Sequence, residues 1–230
     1  MLVRSRGRIG GTRLFLINMA TVTAIKQQKR NPQRVNIYLD GVYVFPLAKI
    51  VAAWLKVGQE LSPEKIVALR VEDEAEKAFQ RSLRFLSYRP RSQAEVERNL
   101  YKHEVPEDLI APVIQRLKAA KLLDDADFAR RWVEDRAAFR PRGAYALRQE
   151  LRQKGLAEDS IIQALEGLDE TELARQAAMR KARQLGGLDW PVFRSKLSAF
   201  LARRGFGYDI VAGICRDVWQ DLKEKQSSNL

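Results

Sequence analysis

Few side chains in this 230-residue chain could perform covalent chemistry. His103 is the sole histidine and Cys215 the sole cysteine, so any Ser-His-Asp or Cys-His relay would have to run through one imidazole. Glu104 follows His103, but position 107 is Glu107, so a zinc-binding His-Glu-x-x-His does not begin there. Cys215 falls on the apolar stripe Ile210, Val211, Ile214, Val218 and reads as core. Gly10-Gly11 and Gly186-Gly187 lack the Lys and Ser/Thr of a phosphate loop. Asp124, Asp125 and Asp127 have the density of a metal site, but they open a helical pattern and read as caps and helix-dipole partners. No catalytic residue, cofactor or metal ligand is assigned, and the chain reads as a binder, not an enzyme.

The chemistry that remains is that of cations. The formal net charge is +12 and the pI about 10.0, which points to a polyanionic partner. Residues 124–168 nevertheless carry eight basic against nine acidic side chains, so a binding surface there has to come from segregated arginines. Arginines recur around two Arg-Pro-Arg corners. Arg84, Arg89, Arg91 and Arg98 surround the first; Arg136, Arg140, Arg142, Arg148, Arg152 and Lys154 surround the second. Planar guanidinium forks suit phosphates and carboxylates. The assigned partner-binding residues are Arg89, Arg91, Arg98, Arg136, Arg140, Arg142, Arg148, Arg152 and Lys154. Tyr88, Tyr145 and Trp190 lie near the corners as candidate exposed contacts, whereas Phe128 and Trp132 have the spacing of core. Pro90 and Pro141 stop one helix and set up the next.

The elements that position these residues repeat. Arg89-Pro90-Arg91 recurs as Arg140-Pro141-Arg142 at a shift of 51, with Val96 meeting Leu147, Leu100 meeting Leu151 and Val105 meeting Leu156. At a shift of 50, Leu147 meets Leu197, Leu151 meets Leu201, Gly155 meets Gly205 and Leu156 meets Phe206, while Trp190 and Val192 replace the arginines. Each copy predicts three helices: 73–88, 92–103 and 106–120; 124–138, 143–154 and 157–167; 170–185, 190–204 and 207–222. Ser92-Gln93-Ala94-Glu95 is a capping box, Asp124 or Asp125 and Asp189 are candidate caps, Pro106 suits a first helical position, and Gly155 and Gly205 suit left-handed helix ends. Units of this size can stack into an elongated curved body.

Before the repeats, 21–26, 35–39 and 42–45 alternate as strands, and Asp40-Gly41 marks a hairpin. A helix is expected over 47–56, ending at Gly58, and another opening at Ser62-Pro63. The chain is therefore mainly α, with a small β-meander and one or two helices ahead of three three-helix repeats. The expected divisions are a poorly ordered basic leader over 1–18 with Met19 as a candidate initiator, then 19–71, 72–122, 123–168 and 169–230. A lone cysteine suits a reducing cytoplasm, and no apolar run approaches the roughly 20 residues of a membrane span.

These repeats resemble the RecX regulatory proteins of bacteria. The resemblance rests on Leu86-Ser87-Tyr88-Arg89-Pro90-Arg91-Ser92, on Leu122-Leu123-Asp124-Asp125 with Phe128-Ala129, on 147–155, and on Arg34-Val35-Asn36-Ile37-Tyr38-Leu39-Asp40-Gly41. It covers roughly residues 21–222. It implies tandem three-helix repeats and a non-enzymatic regulator that binds the RecA recombinase on its single-stranded DNA filament, damping strand exchange, ATP hydrolysis and co-protease activity. That places the chain in DNA repair, recombination and the SOS response. The alternative is a direct DNA-binding protein, on single strands or duplex, acting without the recombinase. The leader and the third repeat, which lacks Arg-Pro-Arg, depart from the family pattern.

Overall fold

The computed structural model describes residues 19–227, with side chains to 224; the leader expected over 1–18 lies outside the described residues. The chain divides into two compact units. The first takes the chain up to Tyr88 together with Asn99–Ala120, and the second takes Arg89–Arg98 together with Lys121 onward.

In the first unit, β1 (Ala20–Gln27), β2 (Arg34–Leu39) and β3 (Val42–Ala48) form the expected meander. Every second residue of β2 (Val35, Ile37, Leu39) is buried, as a half-covered antiparallel sheet requires. Asp40 and Gly41 have φ of 49° and 82°, the mirror-image turn whose twist suits a hairpin. A fourth strand, β4 (Glu60–Leu61), pairs with β1 and gives the order β3-β2-β1-β4. Two residues carry too little alternation to be seen in the sequence.

The helix expected over 47–56 does not form. β3 runs on through Pro46, Leu47 and Ala48, and only a 3-10 turn follows at Val51–Trp54. Leu47 pairs with Val35 and is fully buried, while the Ala48 N–H donates to the Asp73 carboxylate at 2.6 Å. Pro46 is tolerated because β3 is an edge strand.

α1 (Pro63–Ser87) starts as expected, with Ser62 Oγ accepting from the Lys65 N–H. It is one unbroken 25-residue helix, so position 72, where the sequence pattern suggests a new helix, lies in its interior. Ile66 and Leu69 complete the core beneath the sheet, and further along α1 packs on α3 (Glu107–Ala119). Asp73, 3% exposed, ties helix to sheet. Besides Ala48 it takes Arg34 at 2.9 Å and Lys77 at 3.0 Å. Burial works to raise the pKa of this carboxyl, but these bonds hold it below the usual value.

α2 (Gln93–Lys102) completes the first group of three helices. The second group is α4 (Asp125–Phe139), α5 (Ala144–Gln153) and α6 (Glu158–Leu165). The third is α7 (Glu170–Ala182), α8 (Trp190–Arg203) and α9 (Tyr208–Ser227). The repeat positions are core positions: Val96, Leu147 and Leu197, and Leu100, Leu151 and Leu201, are all 0% exposed. Cys215 joins the third group's core, where burial pushes its thiol pKa up. Trp190, expected near the surface, is half-buried against Phe193 and Trp219, 6.4 and 5.6 Å away between ring centroids. Gly155 and Gly205 end their helices at φ of 81° and 84°, and Glu104 holds the matching place in the first repeat at φ 56°. Pro106 sits one residue earlier than expected, at the N-cap of α3, and Asp189 is at the N-cap of α8 without a side-chain bond.

Candidate functional site

The nine assigned cations all belong to the second unit, several of them at the joints between successive repeats. Each joint is built the same way: the end of one middle helix meets the start of the preceding middle helix. At the first joint Ser92 Oγ, the N-cap of α2, donates to the Lys154 carbonyl at 2.6 Å. At the second the Gly143 N–H, at the N-cap of α5, donates to the Arg204 carbonyl at 3.0 Å. The helix ends then approach so closely that a Cβ on Gly155 would lie 2.4 Å from the Ala94 Cβ, and one on Gly143 would lie 2.2 Å from the Gly205 carbonyl oxygen. An acid from the next first helix finishes each joint: Asp125 accepts from the Gln93 N–H, and Glu170 from the Ala144 N–H, both at 2.8 Å. An unsatisfied helix-start donor is thereby paired in each case.

The three clustered aspartates are thus accounted for. Asp124 caps α4 through the N–H groups of Ala126 and Asp127, Asp125 caps α2, and Asp127 pairs with Arg130 and Arg131. Among the described residues no group of three or more His, Cys, Asp or Glu could hold a metal.

At the first joint the Glu95 carboxylate takes both guanidinium nitrogens of Arg89, at 2.8 and 3.2 Å, the Lys154 ammonium at 3.0 Å, and the Ser92 N–H at 3.3 Å. Glu95 N–H donates back to Ser92 Oγ, so the capping box forms. Burial acts to raise this carboxyl, yet the Arg89 and Lys154 bonds carry it down to about 2. Arg91 is half-buried; burial, then the nearby Arg89 charge, lowers its pKa. Arg98 bonds its own helix through the Ala94 carbonyl.

A second carboxylate, Glu150, gathers the Arg136 Nε at 2.9 Å, the Arg142 Nη1 at 2.7 Å and the Trp132 indole N–H at 2.7 Å. The Arg136 guanidinium lies 4.3 Å, and the Lys154 ammonium 5.0 Å, from the centre of the Trp132 ring. Phe128 is buried and stacks on Trp132 at 5.7 Å. Phe128 lies in the core as expected, and Trp132, half-buried, packs against that core while bracing the cations. A third carboxylate, Glu158, takes Arg152 at 2.9 Å and Arg148 at 3.6 Å. Six of the nine cations are therefore gathered in pairs on three carboxylates, Arg89 and Lys154 on Glu95, Arg136 and Arg142 on Glu150, and Arg148 and Arg152 on Glu158.

The second joint breaks the pattern of the first in one respect. By repeat position Arg140 corresponds to Arg89 and Arg204 to Lys154, but Ala146 stands where Glu95 stands. The cations are kept and the acid between them is gone. Arg204 Nη1 donates to the Pro141 carbonyl, and Arg180 donates to the Phe139 and Ala138 carbonyls. Burial, and then the positive charges of Arg142, Arg180 and Arg140, push the Arg204 guanidinium below its usual value. Arg140 is exposed, and Phe139 and Tyr145 beside it are 75% and 70% exposed. This corner offers forks for an anion and aromatic faces next to them; it offers no nucleophile or proton-transfer group. Arg180 and Arg204 escaped the sequence reading, although the shift of 50 that pairs Lys154 with Arg204 contained the signal.

Family models match the chain in four consecutive pieces: the regulatory protein RecX N-terminal domain over residues 20–62, and the first, second and third RecX three-helix domains over 78–117, 124–165 and 169–213. The Regulatory protein RecX of Bacillus subtilis (strain 168) is 35% identical over 202 residues, 84% of this chain and 75% of that protein. That of Limosilactobacillus reuteri (strain DSM 20016) is 30% identical over 217 residues, 92% of this chain and 82% of the relative. Among solved structures, a crystal structure of regulatory protein RecX has a TM-score of 0.72 at 32% identity, covering 85% of this chain and 98% of that one. The crystal structure of RecX from Lactobacillus salivarius has a TM-score of 0.58 at 25% identity, covering 64% and 97%. Among the described residues no helix is long and apolar enough to cross a membrane.

Proposed function

The chain belongs to the RecX family of regulatory proteins, and from that premise we propose that it binds the RecA recombinase on its single-stranded DNA filament and restrains strand exchange, ATP hydrolysis and co-protease activity by occupancy. The observation that carries this reading is the second joint, where Arg140, Arg142, Arg180 and Arg204 crowd together and Glu150 is the acid paired among them. Such a surplus of forked cations is held for an anion supplied from outside. On this reading the chain is a cytoplasmic regulator that acts by binding.

The test is a titration of filament ATPase with the wild type and with Arg140, Arg142, Arg148 and Arg152 changed together to Ala, after circular dichroism has established equal helicity. The half-inhibitory concentration is expected to rise at least about tenfold, roughly 1.4 kcal/mol, and inhibition by the wild type to weaken with added salt. Unchanged inhibition by the variant would remove these four arginines from the mechanism. A gel shift on bare DNA at matched salt tests the other reading. The cation excess with exposed Tyr145 favours direct DNA binding if retention is tight and shows no preference for filament.

A further inference from the structure

The first unit contains a cleft of about 810 Å³ that is lined by none of the nine assigned cations, although Arg84 of the first corner borders it. One side is a stripe of α1, Lys77, Arg81 and Arg84, spaced by four and three residues and so aligned along the helix, continued by Tyr88 at its C-cap. The turn before β2 at Asn31, the turn after β3 at Lys49, and Asn99 and His103, four residues apart, also line it.

The charges in this cleft do not cancel. Arg34 and Lys77 are engaged by Asp73, with Glu74 also on Lys77, and Glu76 is engaged by Arg116. Lys49, Arg81 and Arg84 are all exposed and line the same space, with no carboxylate set against them among the described ion pairs. Tyr88 is 78% exposed at the end of the stripe. Cations next to an open aromatic face are what a phosphate joined to a flat ring requires: guanidinium groups for the phosphate oxygens and a ring to stack on. The volume lies in the usual range for small-ligand sites, about 300–1,000 Å³, and the side-chain amides of Asn31 and Asn99 can both donate and accept toward a sugar or base edge.

We propose that this cleft binds a nucleoside phosphate, with Arg81, Arg84 and Lys49 on the phosphates and Tyr88 against the base. The ligand is either a free nucleotide or one unit of a nucleic-acid strand, since both present the same chemistry.

The experiment uses the full chain and follows binding by fluorescence anisotropy of labelled ATP and of a labelled short oligothymidylate, with inorganic triphosphate and unlabelled competitors in parallel. Arg81→Ala with Arg84→Ala is expected to weaken binding at least tenfold, and Tyr88→Ala about fivefold or more, while Lys118→Ala, an exposed cation of the same unit outside the cleft, leaves it unchanged. Stronger competition by ATP identifies a free nucleotide; stronger competition by the oligomer identifies a strand. No binding of either probe, or binding indifferent to Arg81 and Arg84, overturns the proposal. Competition by triphosphate as strong as by ATP, with no effect of Tyr88→Ala, overturns the nucleoside part. Because Arg81, Arg84 and Lys49 are not among the residues assigned to filament inhibition, failure here leaves that reading standing.

Discussion

Changing Glu95 to Gln tests how the first joint is held. In the folded chain its carboxyl sits at about 2 against an ordinary value of 4.5. A folded-state value below the unfolded one means that the carboxylate's contribution is complete above about pH 4.5 and disappears as pH falls toward 2. The difference corresponds to about 3 kcal/mol. The Glu95 side chain is only 12% exposed, but Arg89 is 40% exposed, so solvent screening trims the figure to about 2–3 kcal/mol. Glutamine can still accept from the Ser92 N–H, as capping boxes allow; what it removes is the counter-charge for Arg89 and Lys154. Native-state hydrogen exchange at Gly155 and Leu156, whose N–H groups bond the Arg152 and Leu151 carbonyls, reads this joint directly. At pH 7 the variant should lose about 2–3 kcal/mol of protection there, and at pH 3 only about 1 kcal/mol, because the wild type is by then losing the same charge. A difference below about 0.5 kcal/mol at pH 7, within the scatter of surface substitutions, or a difference independent of pH, would refute the argument.

Gly143→Ala should lower stability by at least about 2 kcal/mol, since its φ of −72° is ordinary and the added Cβ would strike the Gly205 carbonyl; Gly207→Ala, with open space around it, should be nearly neutral in the same thermal melts. Asp73→Asn should destabilise the first unit at neutral pH by leaving Arg34 without its charge partner, with a deficit that shrinks on acidification in urea titrations, because the wild-type carboxyl is held below its usual value.

The repeats were legible because their signal is local. Leucines at helical spacing, a capping box and left-handed glycines are each written within a dozen residues, and all lie where the pattern places them. The 47–56 segment misled because Leu47, Ala48 and Val51 satisfy a helical period equally well, and only the sheet beside them decides in favour of the strand. β4 gains its identity from pairing with β1. The joints were legible in part: the glycines marked the close approaches, but not what approached. Asp125 looks like a cap for its own helix, and its hydrogen bond to Gln93 is visible only after folding has brought residues 32 apart together. The arginines were found by type. That Glu95, Glu150 and Glu158 gather six of the nine cations in pairs follows from side-chain geometry, which spacing does not encode.

The joints also impose an order in time. The start of α2 is finished by Lys154 and Asp125, and the start of α5 by Arg204 and Glu170, so each middle helix waits for chain that is made later. On a ribosome adding about 5–20 residues per second, the start of α5 keeps open donors for several seconds until the 60 or so residues up to Arg204 emerge. A nascent chain stalled within the third repeat should therefore have a frayed start to α5, with the arginines of its corner displayed on loose backbone at the exit of a particle made largely of RNA.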